Sequence, residues 1–279
     1  MRRRKPLHVA VALAIILVII TVIIVLVAGY RYFSNDGVKF IGKSENGQPM
    51  EGTINYPDGS SARLDYVNHT IYYDNGDLYE GEISNIYRNG TGKMTFANGD
   101  VYEGGFVNDE MSGNGKMTYA NGDVYEGGML NSQKNGHGVF RFINGDSYEG
   151  NYEKDVMSGY GVFTWSSGAR YEGNFADDVK SGSGKMVFAN GDVYEGSFSK
   201  EMRNGSGQYV WANGTSYTGT FRNNLMDTRR VDENGNFIIG PDGKYVHGSA
   251  AYYTTVGESG NKTYTGYFVE GVYFANYNA

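Results

Sequence analysis

The chain has 279 residues, among them 42 Gly and 25 Tyr, with only 4 Pro and no Cys, and its formal net charge is −7 at pH 7. The absence of Cys excludes a disulfide framework, a Cys-based metal site and a Cys nucleophile. Abundant Gly and aromatic residues with little Pro are typical of many short strands joined by tight turns, and not of disorder or collagen.

The chain begins with a basic segment followed by an aliphatic one. Arg2 to Lys5 are all basic, and Val9 to Ala28 is an almost purely apolar run of about the length that a helix needs to cross a bilayer, roughly 20 residues. We predict a tail at residues 1–6 and a transmembrane helix, a signal anchor, at residues 7–29. The alternative is a cleaved signal peptide, but the run is longer than the roughly 7–15 residues of a signal h-region.

Charge predicts the orientation of this anchor. Basic residues cluster on the N-terminal side of the apolar run, so the positive-inside rule places the tail in the cytoplasm and the rest of a single-pass protein outside the cell membrane. Arg2 to Lys5 account for four of the 24 basic residues, which leaves 20 against 31 acidic residues. Such an acidic body repels nucleic acid and anionic headgroups, so we expect neither as a partner of that body.

Two transitional segments follow. Residues 30–51 contain the turn-like stretches Ser34 to Gly37 and Ser44 to Gly47 and are interpreted as a polar spacer. Residues 52–76 resemble the repeats described next but have a shorter spacing, so we predict degenerate capping repeats, because the end units of stacked proteins are commonly atypical.

From residue 77 to residue 224 one motif returns at a fixed interval. It reads Asn98-Gly99-Asp100-Val101-Tyr102-Glu103-Gly104, and a Gly-x-Gly pair such as Gly113 and Gly115 follows each of the first six copies. Thr228 and Arg230 stand at the next expected place, so the regular array ends there. The motif tyrosines are 23 residues apart and are Tyr79, Tyr102, Tyr125, Tyr148, Tyr171, Tyr194 and Tyr217.

Each unit is predicted to be a β-hairpin. Large apolar residues alternate with small or polar ones, and Asn-Gly between such runs is a strong hairpin signal, so seven units predict about fourteen strands. The repeat has an odd number of residues. For the same side chains to stay on one face of the sheet from repeat to repeat, one loop must therefore contain an odd number of residues and the other loop an even number. We predict that the odd loop is the three-residue loop Ala120 to Gly122, with Gly122 left-handed and Met117 opposite Tyr125.

The Tyr-x-Gly, Gly-x-Gly and Asn-Gly motifs at these spacings resemble the MORN repeat family over residues 52–224. The resemblance implies an all-β fold: an elongated, single-layer antiparallel meander of about seven hairpin repeats, here preceded by one transmembrane helix. It also implies scaffolding, dimerisation or protein binding, and no enzymatic activity without an attached catalytic domain. Residues 225–279 are predicted to be irregular strands that cap the far end.

Few residues suggest catalysis or metal binding. His69, His137 and His247 are scattered in turn-like contexts with no repeated acid or nucleophile beside them. The motif glutamates, such as Glu103 and Glu126, would lie about 9.6 Å apart on successive hairpins, too far for neighbours to share a cation. We therefore predict no catalytic residue, cofactor or metal site, and interpret the glutamates as a solvated acidic face.

The aromatic residues form the candidate binding site. They share one face and are expected first to pack on one another, but a single sheet cannot hide the whole stripe, and a long exposed apolar strip usually marks a partner surface. We predict a concave aromatic groove with Trp165 and Trp211 as anchors. The residues assigned to it are Tyr102, Phe106, Tyr119, Tyr125, Phe142, Tyr148, Phe163, Trp165, Tyr171, Phe188, Tyr194 and Trp211.

These observations predict a membrane-anchored, non-enzymatic scaffold at the cell envelope. Its expected partner is another envelope protein or a second copy of itself, as a homodimer. The alternative is a module that binds carbohydrate, a cell-wall glycan, because ladders of Tyr and Trp also suit sugar rings.

Overall fold

A computed structural model describes residues 30–35, 37–230, 232, 236–241, 244, 246–247, 251–256 and 260–274. The transmembrane helix predicted at residues 7–29 lies outside this part of the chain. Within the described ranges all regular secondary structure is β-strand. None of these ranges contains a helix long and apolar enough to span a bilayer.

The described residues form 22 strands. Those before the regular repeats are β1 Tyr30–Asn35, β2 Val38–Glu45, β3 Gln48–Asn55, β4 Ser61–Asp65 and β5 Thr70–Tyr73. Those of the repeats are β6 Leu78–Ser84, β7 Tyr87–Thr95, β8 Val101–Val107, β9 Glu110–Thr118, β10 Val124–Leu130, β11 Gln133–Arg141, β12 Ser147–Glu153, β13 Val156–Thr164, β14 Arg170–Ala176, β15 Val179–Val187, β16 Val193–Ser199, β17 Met202–Val210, β18 Ser216–Arg222 and β19 Leu225–Met226. Those after the repeats are β20 Ala251–Thr255, β21 Lys262–Val269 and β22 Val272–Phe274.

These strands belong to two compact units. The first contains the described residues up to Asn121 together with Met129–Ser132, and the second contains Gly122–Gly128 together with the described residues from Gln133 onward. In the first unit β1 to β9 pair antiparallel in chain order. In the second unit β11 to β18 do the same, and β18 also pairs with β19 and β20. The predicted antiparallel hairpins, two strands per repeat, are confirmed.

The structure differs from the sequence interpretation at the start of the first unit. Residues 30–51, predicted to be a polar spacer, include β1, β2 and the beginning of β3. Phe40 is fully buried, and its ring end lies 2.7 Å from the place where a Cβ on Gly42 or Gly52 would stand. Phe40-Ile41-Gly42 therefore takes the position of Tyr-x-Gly in a repeat. Because Phe replaces the Tyr, the spacing of the tyrosines does not reveal this segment.

The Asn-Gly loop has the predicted geometry. In the loop from Ala97 to Gly99, the Phe96 N–H donates to the Asp100 carbonyl at 2.9 Å and the Gly99 N–H donates back to the Phe96 carbonyl at 2.9 Å. Gly99 has φ +95°, a conformation that Gly adopts without a steric penalty. The three-residue loop is thus confirmed, and the paired residues Met94 and Tyr102 share one face.

The second loop of each repeat contains two residues, as parity predicts. Asn108 and Asp109 both have positive φ, 48° and 70°, which is the type I′ turn that matches strand twist. The Asp109 carboxylate accepts the Arg88 N–H at 2.8 Å, and the Asp109 N–H donates to the Arg88 carbonyl at 3.0 Å. The turn is therefore hydrogen-bonded to the preceding repeat. These hydrogen bonds offset the energetic cost of the positive φ angles, which non-Gly residues seldom adopt.

The motif tyrosines form the core of each unit. Tyr171 lies over the opposed pair Gly173 and Gly184, where an added Cβ would stand 2.5 Å from its hydroxyl oxygen. The hydroxyl donates to the Asn174 carbonyl at 2.9 Å. All seven motif tyrosines have 0% exposure, so glycine pairs and neighbouring rings bury these large side chains.

The last strands of the second unit continue the same packing. Phe268 meets Tyr217 edge to face at 4.7 Å, and the Ala251 side chain lies beside Gly219. A buried ion pair accompanies them, in which an Arg229 guanidinium nitrogen lies 2.6 Å from an Asp227 carboxylate oxygen. Strands β20 and β21 thereby supply the ring and the small residue that a further repeat would supply.

We predict that Gly184→Ala destabilises the fold by about 1–3 kcal/mol, because the new methyl group would overlap the Tyr171 ring. Urea unfolding followed by circular dichroism measures the change. Ser183→Ala is the matched control, since Ser183 is exposed on the opposite side of the same strand and should change stability by no more than about 0.5 kcal/mol. Equal unfolding midpoints for the two variants would contradict the proposed packing.

We also predict that the protein loses stability in alkali. Burial raises the pKa of Tyr79, Tyr148 and Tyr194 to about 12, whereas the unfolded phenols ionise near pH 10. Between these values the folded chain binds more protons than the unfolded chain, so the free energy of unfolding falls as pH rises from about 10 to 12. Urea midpoints against pH measure the slope, and Tyr148→Phe should reduce it by about 1.4 kcal/mol per pH unit. An unchanged slope would exclude Tyr148 as a contributor.

Candidate functional site

The structure divides the twelve predicted aromatic residues into two groups of six. The buried group has at most 2% exposure and contains Tyr102, Phe106, Tyr125, Tyr148, Tyr171 and Tyr194. The half-buried group, here called the aromatic row, contains Tyr119, Phe142, Phe163, Trp165, Phe188 and Trp211. The buried rings form the core, and the aromatic row is the part that remains partly exposed to solvent.

The aromatic row of the second unit lies on the same face as the core tyrosines. Phe163 stands opposite Tyr171 in the register of β13 and β14, and Trp165 follows Phe163 by two positions, at 4.6 Å between ring centroids. Tyr209, which the sequence analysis omitted, joins the row 4.8 Å from Trp211. The sequence spacing could have identified Tyr209, because it occupies the position of Phe163 two repeats later.

Cations cover part of these rings. The Lys180 ammonium lies 5.3 Å from the Trp165 ring centroid, and the Arg203 guanidinium carbon lies 5.0 Å from the Tyr209 ring centroid. Both distances are within the range of cation–π attraction. Lys180 also forms an ion pair with Glu201. The sequence analysis missed these cations, although Lys134, Lys180 and Arg203 occupy the same position in different repeats.

Two equivalent pockets open beside the tryptophans. The first, about 240 Å³, is lined by residues that include Phe163, Trp165 and Phe175. The second, about 190 Å³, is lined by residues that include Tyr209, Trp211 and Phe221. Corresponding residues are two repeats apart, which is four strand spacings or about 19 Å. The repeat thus presents the same kind of pocket twice on one face.

A larger groove lies on the opposite face of the second unit, here called the polar face. It has a volume of about 1090 Å³, and its lining includes Tyr160, Glu172, Lys185, Glu195 and Tyr252. The sequence analysis placed a groove on the aromatic face. The difference has a steric reason: tyrosine rings fill the aromatic face over the glycine pairs, whereas no such ring covers those glycines on the polar face.

Hydrogen bonds hold Glu172 in its charged form. Its two carboxylate oxygens accept from the Tyr160 hydroxyl and from the Arg170 guanidinium, each at 2.5 Å. These bonds lower the pKa of Glu172, and the bond to the carboxylate raises the pKa of the Tyr160 hydroxyl. Glu172 also stands opposite Lys185 in the register, as Glu103 stands opposite Lys116 in the first unit. Lysines therefore alternate with the glutamates of the predicted acidic face at these positions.

The histidines remain dispersed in the structure. His69 and His137 are exposed, while the Nδ1 atom of His247 lies 2.8 Å from the Thr228 hydroxyl. Burial lowers the pKa of His247. Across the described ranges, no group of three or more His, Cys, Asp and Glu residues could hold a metal ion.

Solved structures resemble the chain only weakly. The TCP10c domain of Drosophila melanogaster Sas-4 is 18% identical at a TM-score of 0.32, with 60% of this chain and 96% of that chain covered. The TCP10 domain of Danio rerio CPAP, solved with a peptide of STIL, is 14% identical at a TM-score of 0.22, with 78% and 99% covered. At these scores the likenesses carry no argument about function. No curated protein sequence matches the chain at a significant level.

The family comparison rests on the repeats themselves. The MORN repeat model matches residues 79–101, 102–124, 125–147, 148–170, 171–193, 194–216 and 217–227. These seven segments follow one another without a gap, begin at the seven buried tyrosines and together cover more than half of the sequence. The chain therefore belongs to the MORN repeat family.

Proposed function

We propose that the protein is a non-enzymatic scaffold that binds another protein through the aromatic row of its second unit. The two equivalent pockets at Trp165 and Trp211 are the observation that carries this proposal. MORN repeats are a binding module and not a catalytic fold, and the two pockets contain no pairing of a nucleophile with a histidine base.

The pockets indicate the form of the partner. Two apolar side chains about 19 Å apart would fill both pockets at once, a separation spanned by about six residues of an extended segment or about 13 residues of a helix. Trp residues in pockets dominate many protein interfaces because they bury a large area at low entropic cost. Lys180 at the Trp165 pocket is already paired with Glu201. The described lining of the Trp211 pocket includes Arg203 and no acidic residue, so an acidic residue near the anchor that fills this second pocket would be favoured.

We predict that a photo-crosslinking amino acid at Ser166 or at Ala212, each next to a pocket tryptophan, traps one and the same protein in intact cells. The full-length chain with Trp165→Ala and Trp211→Ala together should lower the yield at least tenfold, because interface tryptophans commonly contribute 2 kcal/mol or more. Gel mobility and mass spectrometry identify the adduct.

Two controls sharpen this experiment. The same crosslinker at Val67, which is 70% exposed in the first unit, should not trap that protein. Ile143→Ala removes an exposed side chain, 71% accessible, that lines neither pocket and should leave the yield unchanged. An adduct that persists in the double tryptophan variant would overturn the proposal, and an adduct of two identical chains would identify the partner as a second copy.

We further propose that the scaffold is anchored in the cell membrane by residues 7–29, with its repeats outside the cytoplasm as part of the cell envelope. The basic residues Arg2 to Lys5 before the apolar run Val9 to Ala28 support this proposal. An anchor would hold the aromatic row near the membrane, where a partner in the same envelope is concentrated.

We predict that protease added to intact cells, with any outer barrier permeabilised, degrades the repeats. Sodium carbonate should not extract the chain, because a spanning helix of about 20 apolar residues is retained by the bilayer. Deletion of residues 7–29 is the matched control and should release the repeats from the membrane fraction. Repeats that become accessible only after lysis would contradict the predicted orientation.

A further inference from the structure

We propose that the groove on the polar face of the second unit binds a neutral oligosaccharide chain. This inference goes beyond the proposed scaffold function, because it concerns the opposite face of the sheet and a different class of ligand. The groove has a volume of about 1090 Å³, slightly above the range of roughly 300–1,000 Å³ that is typical of small-ligand sites.

One row of side chains along this groove crosses the strands. Each member stands opposite the next in the register, from β14 through β18 to β20, so the row is about 24 Å long. Its members are Glu172, Lys185, Glu195, Gln208, Thr218 and Tyr252. A ligand that follows the row runs across the strands and passes over their glycine pairs.

The chemistry of the row suits hydroxyl groups. It offers carboxylates as acceptors, an ammonium group as a donor, and one amide and two hydroxyl groups that both donate and accept. Gln208 and Thr218 are joined by one hydrogen bond at 3.2 Å and retain further capacity. Sugar hydroxyl groups also donate and accept, so a chain of sugars can pair with every member of the row.

The charges of the groove favour a neutral ligand. Glu172 is paired with Arg170 at 2.5 Å, and Lys185 stands opposite Glu195 in the register. When Arg170 is counted with the row, Arg170 and Lys185 balance Glu172 and Glu195, so neither an anionic nor a cationic polymer would gain net attraction. Five of the residues that line the groove are glycines, which have no side chain to contact the anchor residues of a peptide.

Exposed tyrosines stand at the two ends of the groove. Tyr160 is 53% exposed and Tyr252 is 56% exposed, and each presents a flat apolar ring with a polar tip. The repeat does not require them: the position of Tyr160 is occupied by Thr91, Asn114 and His137 in earlier repeats. These rings are therefore available as platforms for the apolar faces of sugar rings.

Titration of the full-length protein, purified in a detergent without a sugar headgroup, tests the inference. Cellohexaose, chitohexaose and maltohexaose are the probes, and calorimetry measures their affinity. We expect at least one to bind, with an affinity at least tenfold lower in Tyr160→Ala or Tyr252→Ala and in Lys185→Ala. Lys116→Ala is the matched control, since Lys116 occupies the same repeat position in the first unit, and it should bind normally.

The aromatic-face variant that combines Trp165→Ala and Trp211→Ala separates this inference from the proposed scaffold function. It should keep full hexasaccharide affinity while the yield of the protein adduct falls, and the groove variants should do the reverse. Absence of binding by all three sugars, or equal losses in Lys116→Ala and Lys185→Ala, would overturn the inference. The inference would also be overturned if none of the sugars bound and a peptide bound instead, with an affinity that falls in Tyr160→Ala and Tyr252→Ala.

Discussion

The fold depends on one contact, a tyrosine ring that lies on the bare backbone of two opposed glycines. At Tyr171 the hydroxyl reaches past Gly173 to the carbonyl of Asn174, three residues along the chain. The edges of Phe175 and Phe198 close the two sides of the ring at 5.1 Å. A large side chain is thereby fully buried by its own repeat and its neighbours. The same contact recurs in the first six repeats, and at Tyr217 Ala251 stands in place of the second glycine.

Polar residues of the repeat connect successive hairpins. One Asp100 carboxylate oxygen accepts the N–H of Ala120 in the next repeat at 2.8 Å, while Asn98 holds Asp100 from the same loop. At the other edge, Asp109 is bonded to Arg88 of the preceding repeat. The Asp100 and Asp109 carboxylates thus accept backbone N–H groups of neighbouring repeats. Binding specificity must come from positions that the repeat leaves variable.

Those variable positions lie on two opposite faces with different chemistry. On the aromatic face the pockets at Trp165 and Trp211 combine apolar rings with cations, which suits a protein surface. On the polar face the row that includes Lys185 and Gln208, together with the paired Arg170, offers hydrogen-bonding groups without net charge, which suits a neutral sugar chain. One sheet can present both surfaces because side chains alternate between the faces along each strand.

The sequence alone determined the repeat, its hairpins, and the three-residue and two-residue loops, because these follow from local spacing, parity and the conformational freedom of residues such as Gly99. It also placed Trp165 and Trp211 on the face of the core tyrosines. Only the tertiary structure showed that Tyr171 is buried whereas Trp165 is partly accessible. The alternation of side chains along the strands places both on the same face, and their exposure differs because different residues pack beside them on the neighbouring strands. Packing also decided which face holds the large groove, because the rings that lie over the glycine pairs fill only one side of the sheet.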